Sequence, residues 1–213
     1  RTSLPDTEQD AITMMTLNKG QVSRDVYGKY ADEFISLFPT SAFGYKEKAS
    51  LLVEKNDYAA ADKCMEEGIK KSGVKDEAHS NYADLIYQKL IYRGDSTYTS
   101  WNFDKVIDEA QKAYAIKANP VYQHQEARAY FSKGDYQKAY DMFIALTGTS
   151  IKSGELYLEA AQAKTQLKAP TTEIKVLLDS AVNVSKNAGA IAGTYYLARA
   201  GFLADQGDYR NAL

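Results

Sequence analysis

His79 and His124 are the side chains best suited to move a proton near neutral pH or to ligate a metal ion, and the sequence holds no other histidine. They stand 45 residues apart, with no cysteine or carboxylate at ligand spacing. The spacing therefore predicts ordinary surface or groove histidines and no metal site. Glu66-Glu67 and Asp108-Glu109 are adjacent carboxylates, but neighbours on a helix diverge by about 100°. Neither pair can act as acid and base on one substrate, and both read as solvated faces. Cys64 is the lone cysteine; with no partner for a disulfide it reads as a small core residue. The sequence contains no phosphate-cradling glycine loop, no His-Glu-x-x-His zinc motif and no Gly-x-Ser-x-Gly nucleophile elbow. These residues together predict no enzyme, no cofactor and no metal.

Two short strings match known recognition signals. Arg93-Gly94-Asp95 is the tripeptide by which some adhesive proteins engage integrins, and it falls in Arg93 to Ser100, a stretch without apolar periodicity that reads as an exposed loop. Asn183-Val184-Ser185 fits the glycosylation sequon but lies toward the end of a predicted helix. Both are too short to outweigh chance.

What positions the side chains of this chain is a helical hairpin that recurs. From Glu126 to Leu146 two amphipathic helices are broken by Gly134-Asp135-Tyr136. Gly134 can end the first helix in the left-handed conformation, and Asp135 can cap the second. Ala127 and Ala139 are the small residues that let two backbones approach, with Tyr130, Tyr136 and Phe143 beside them. Ala127 has counterparts at Ala49, Ala83, Ala161 and Ala200, at steps of 34, 44, 34 and 39 residues. Small residues recur 12 places on, as Ala49 with Ala61, Ala127 with Ala139 and Ala200 with Ala212, and the turn recurs as Asn56-Asp57-Tyr58 and Gly207-Asp208-Tyr209. An aromatic sits four before the alanine as Tyr45, Tyr157 and Tyr196, replaced by Gln123 in the central unit.

A helix-turn-helix unit of about 34 residues with these small residues and turns resembles the tetratricopeptide repeat, and the resemblance covers nearly the whole chain. No unit carries the family's tryptophan-leucine-glycine opening in full, so the repeats are divergent. The resemblance implies an all-α, right-handed α-solenoid of helix-turn-helix repeats. Their first helices line a concave groove for an extended or helical segment of a protein partner. Residues three before, one after and four after each marker alanine are then expected on that face. They are Lys46, Ser50 and Val53, then Ser80, Asp84 and Tyr87. His124, Arg128 and Phe131 follow, then Leu158, Gln162 and Thr165. Tyr87, His124 and Arg128 are expected to meet near its middle. Some relatives clamp a terminal carboxylate with lysines, asparagines and an arginine. Ser50 stands where that clamp has asparagine and Glu77 where it has lysine, which argues against a carboxylate clamp here.

In chain order the units are a degenerate repeat over 10–39, repeats near 41–73, 76–120, 121–152 and 154–188, and an incomplete one over 190–213. Four prolines and no Ser/Gly-rich tract leave no obvious linker, so one continuous array is expected. The composition, 45% hydrophobic and 25% charged, supports a continuous core. A formal net charge of -2 lacks the basic footprint of a nucleic-acid binder. No apolar run approaches the length of a membrane span, so a soluble chain of a cytoplasm or bacterial periplasm is expected. The final unit stops soon after Asp208. A longer natural protein is therefore expected, with Tyr196, Leu197, Phe202 and Leu203 exposed and able to drive self-association. The function expected is a non-enzymatic interaction scaffold. The alternatives are a recruiting or regulatory module of a longer enzyme, or a glycan-handling cell-envelope protein that uses some of the 17 tyrosines to stack on sugars.

Overall fold

The computed structural model describes residues 3–93, 98–186, 189–208 and 212. All regular structure among them is helical. The chain divides into two compact units, Arg1–Ala118 and Asn119–Leu213. The first contains α1 (Glu8–Asn18), α2 (Arg24–Leu37), α3 (Ala42–Glu54), α4 (Tyr58–Lys71), α5 (Lys75–Arg93) and α6 (Phe103–Ile116). The second contains α7 (Pro120–Lys133), α8 (Tyr136–Leu146), α9 (Gly154–Gln166), α10 (Thr171–Ser185) and α11 (Ala190–Asp205). Within each unit helices pack on their sequence neighbours, and α3 packs on α5 as α9 packs on α11. First helices thus stand side by side, as stacked repeats require.

The turn between the helices of a repeat is built the same way four times. Asn56, Gly134, Lys168 and Gly207, each seven residues after a marker alanine, have φ of 60°, 94°, 55° and 77°. In every case the next residue donates its N–H to a carbonyl five residues back, from Asp57 to Leu52, Asp135 to Tyr130, Ala169 to Lys164 and Asp208 to Leu203, at 2.9 to 3.0 Å. This backbone closure satisfies carbonyls that a helix end leaves open. Side-chain caps are less uniform. Ser23, Ser41, Asp57 and Asn102 each accept a backbone N–H of the first turn. Asp135 holds the N-cap position of α8 without a side-chain capping bond, so there the main chain alone makes the turn. The third copy of the turn is described through Asp208; Tyr209 lies outside the described residues.

The marker positions are the core. Ala49, Ala61, Ala83, Ala127 and Ala139 are fully buried and Ala161 nearly so, whereas Ala200 is half-buried. Glycine extends the close approach, since a Cβ on Gly68 would fall 2.7 Å from Cβ of Tyr45. The tyrosine four before Ala49 therefore lies flush against α4. Cys64 is buried as expected, its thiol donating to the Tyr45 carbonyl at 3.6 Å. Burial pushes that thiol up to about 11, and so keeps it protonated and inert.

The α5–α6 repeat departs from the pattern. The left-handed position would be Leu90, yet α5 continues to Arg93. Gly94 and Asp95 of the Arg-Gly-Asp string lie outside the described residues. At the end of the stretch Thr99 and Ser100 are exposed as expected, but Tyr98 is half-buried, and Trp101, just after the stretch, is 2% exposed. The Tyr98 hydroxyl and the Trp101 indole N–H donate to the Asp62 carboxylate at 3.0 and 2.7 Å, and the Tyr82 hydroxyl bonds it too. Trp101 also packs edge-on against Tyr82 and Tyr98, with centroids 6.3 and 5.8 Å away. One carboxylate on α4 thereby ties down the entry to α6.

Candidate partner-binding faces

In the first unit the expected face runs along α3 and α5. Lys46 on α3 reaches Asp84 on α5 at 3.6 Å, an ion pair between neighbouring first helices. Ser50 is half-buried and donates its hydroxyl to the Lys46 carbonyl at 2.8 Å. Ser80 is half-buried as well. Val53, expected on the face, is instead 6% exposed, part of the α3–α5 packing. Tyr87 is half-buried, with its ring edge-on to Phe103 at 6.2 Å. It therefore presents less than a whole ring face to a partner.

Three cavities adjoin this row. One of about 370 Å³ lies between the α1–α2 turn and α3, lined by Lys19, Arg24, Tyr27, Glu47, Ser50 and Glu54 among others. A second, about 460 Å³, opens at the N-terminal ends of α1, α3 and α5 and includes Phe43, Lys46, Glu47 and Glu77. A third, about 180 Å³, lies between α3 and the far end of α5, beside Ser50, Val53, Gln88 and the exposed Tyr92. Tyr92 is 81% exposed and was not among the expected site residues, because the extra helical turn that displays it has no counterpart in other repeats.

In the second unit the face is α7 and α9. His124 Nε2 donates to Glu159 at 2.5 Å, and Arg128 Nε lies 3.5 Å from the same carboxylate. Both expected donors are thus engaged by an acid of the next first helix. Phe131 is half-buried and edge-on to Tyr136 at 5.4 Å. Gln162 and Thr165 are exposed and Leu158 half-buried. Tyr87 belongs to the first unit, whereas His124 and Arg128 belong to the second.

Sequence reading missed a row of polar residues two places before four of the five marker alanines: Glu47, Asn81, Gln125 and Glu159. Glu47 is 5% exposed and accepts from the Tyr27 hydroxyl at 2.7 Å and from Lys19 Nζ at 2.8 Å. Glu159 plays the same part for His124 and Arg128. The signal was present, since all four are polar at one register position, but only the stack shows that Glu47 and Glu159 face the preceding repeat. The solvated reading also fails for Glu109, which is 2% exposed. His79 Nδ1 meets it at 2.6 Å and Lys112 Nζ at 3.1 Å. Burial alone would raise this carboxyl, but the hydrogen bonds from His79 and Lys112 outweigh it and hold it below its ordinary value. Glu66 and Glu67 are exposed, as expected.

Among the described residues no group of three or more His, Cys, Asp or Glu side chains could hold a metal ion, and no helix is long and apolar enough to cross a membrane. On α11 Leu197 is 75% and Tyr196 47% exposed, in line with the apolar end expected there. Leu203 is 3% exposed, contrary to expectation, because α11 turns one side onto α9 and α10. The sequon is helical and its Ser185 buried.

No protein-family model matches the chain, and no curated protein matches it in sequence. Solved structures do match. Yeast Tom70 is similar at a TM-score of 0.68 and 16% identity, over 96% of this chain and 41% of that one. A tetratricopeptide repeat protein from Parabacteroides merdae gives 0.65 and 13%, over 98% and 75%. YrrB, described as a TPR protein with an unusual peptide-binding site, gives 0.55 and 12%, over 89% and 91%. At these identities the likeness is one of fold, and it agrees with the buried alanines and the four left-handed turns: the chain folds as divergent tetratricopeptide repeats, an all-α fold of the α-solenoid kind.

Proposed function

We propose that the protein is a non-enzymatic interaction scaffold whose first-helix face holds a segment of a protein partner. The observation that carries this reading is the set of three cavities adjoining along α3, which together take in Lys46, Ser50 and Val53, all named from the repeat register alone. Concave, partly apolar surface with a few polar groups is what peptide recognition uses. Repeats of this fold support such a role, and YrrB's description as peptide-binding is in keeping with it. The glycan reading loses ground because Tyr27, Tyr30, Tyr45, Tyr58, Tyr82, Tyr122, Tyr130 and Tyr195 are buried.

Selection of a displayed peptide library on the immobilised protein tests the proposal. Selected peptides are expected to lose most of their affinity for Ser50→Trp, which fills space shared by two of the cavities, and to bind Lys63→Ala with Lys70→Ala as they bind the parent. Lys63 lines a different cavity, about 380 Å³, beside Tyr45 and Cys64. Peptides that ignore Ser50→Trp but fail on the lysine variant would place recognition on the second helices and sink the α3 assignment.

A further inference from the structure

Resting on that groove reading, we propose that the cavity at the N-terminal ends of α1, α3 and α5 receives a cationic side chain, arginine or lysine, of the partner segment. Its apolar lining is Ile12, Ala42, Phe43 and Val74. Its charged lining is Glu8, Glu47, Glu77 and a single cation, Lys46. That cation is already held by Asp84, and Glu47 by Lys19 and Tyr27. Glu8 and Glu77 are exposed, and among the described residues no cation sits on either.

The nearly buried Glu47 carboxylate, which this cavity shares with the 370 Å³ one, is already taken by Lys19 of that other cavity, whose Nζ it holds at 2.8 and 3.1 Å. Two carboxylates of the same cavity still lack such a partner. The helix N-termini nearby oppose a cation with about half a positive charge each. Against that stand Glu8 and Asp10 in the first turn of α1 and Glu77 in that of α5, where Asp76 already faces Lys117 at 3.9 Å and Lys75 is the first residue. An arginine or lysine suits both halves of the lining, since its methylene stem can lie on Phe43 and Val74 while its head stays among the acids.

Titration of 15N-labelled protein with acetyl-(Gly-Leu-Arg)3-amide, followed by backbone NMR, tests the assignment. The comparison peptides replace arginine with the neutral isostere citrulline or with glutamate. The arginine peptide is expected to shift residues 40–43 and 73–77 and to bind about tenfold tighter than the citrulline peptide, the worth of a charge-assisted pair. Glu8→Gln with Glu77→Gln is expected to erase that tenfold advantage. Both sites are exposed, so circular dichroism and the melting temperature serve to show the fold intact. Equal binding of arginine and citrulline peptides on α3, or a double variant that keeps the advantage, overturns the cation assignment and leaves the groove standing. If no peptide of any charge shifts first-helix residues, the groove reading falls with it.

Discussion

The four regular turns and the α5–α6 connection solve the same problem in opposite ways. At Asn56, Gly134, Lys168 and Gly207 a left-handed residue and one backbone hydrogen bond reverse the chain within a few residues. The α5–α6 connection has no such residue at Leu90 and is secured instead by Trp101 and Tyr98 on Asp62, 39 and 36 residues away. Local closure needs only a residue that tolerates positive φ. Remote closure needs a carboxylate placed by another helix, with the aromatic burial that keeps water off it.

Breaking the remote closure is expected to have the largest effect. Trp101→Ala removes a fully buried indole and one donor to Asp62, and the expected cost is about 3 to 5 kcal/mol in urea unfolding. A loss below about 1 kcal/mol would show that the connection does not depend on it. Next, Ala139→Leu tests the regular packing. Overfilling this zero-exposure site should cost about 1 to 3 kcal/mol, against less than about 0.5 for Gln137→Leu on the exposed side of α8. Equal costs would refute the register.

A smaller effect follows from Glu109, a remote tie of the same unit. Its carboxyl is lowered in the folded state, so its contribution is fully present above the ordinary value of 4.5 and is lost as pH falls through the folded value. Glu109→Gln is expected to flatten the acid side of the stability–pH curve while also weakening the protein at pH 7. An unchanged acid slope would show that His79 and Lys112 do not stabilise the charged form. Smallest is the adjustment of a local turn: Lys168→Gly relieves a lysine held at φ 55° and should stabilise by no more than about 1 kcal/mol. Destabilisation would mean that the lysine side chain holds that turn through its own contacts.

The expected face was legible as a register and less so as a set of contacts. Lys46, Ser50, Asp84 and Gln162 stand on first helices where the repeat places them, but Val53 is buried and Arg128 is engaged with Glu159. The register assigns Cα positions; it does not say which polar neighbour a side chain will reach across the stack. Glu47 and Glu159 were overlooked for the same reason, since each finds its partners in the preceding repeat.

The sequence by itself determined the helices, the turns at Asn56, Gly134 and Gly207 and the buried alanines from Ala49 to Ala161, because all three follow from short-range rules: a 3.6-residue period, tolerance of positive φ, and the lack of a side chain where backbones touch. The turn at Lys168 has no such residue and was not legible. Only the tertiary structure decided that Trp101 and Tyr98 meet Asp62, that His79 meets Glu109, and that Glu159 gathers His124 and Arg128. Those partners are 30 to 39 residues apart, and their meeting depends on how α6 folds back onto α5 for His79 and Glu109 and on how one repeat is rotated onto the next for the others, which no local spacing specifies.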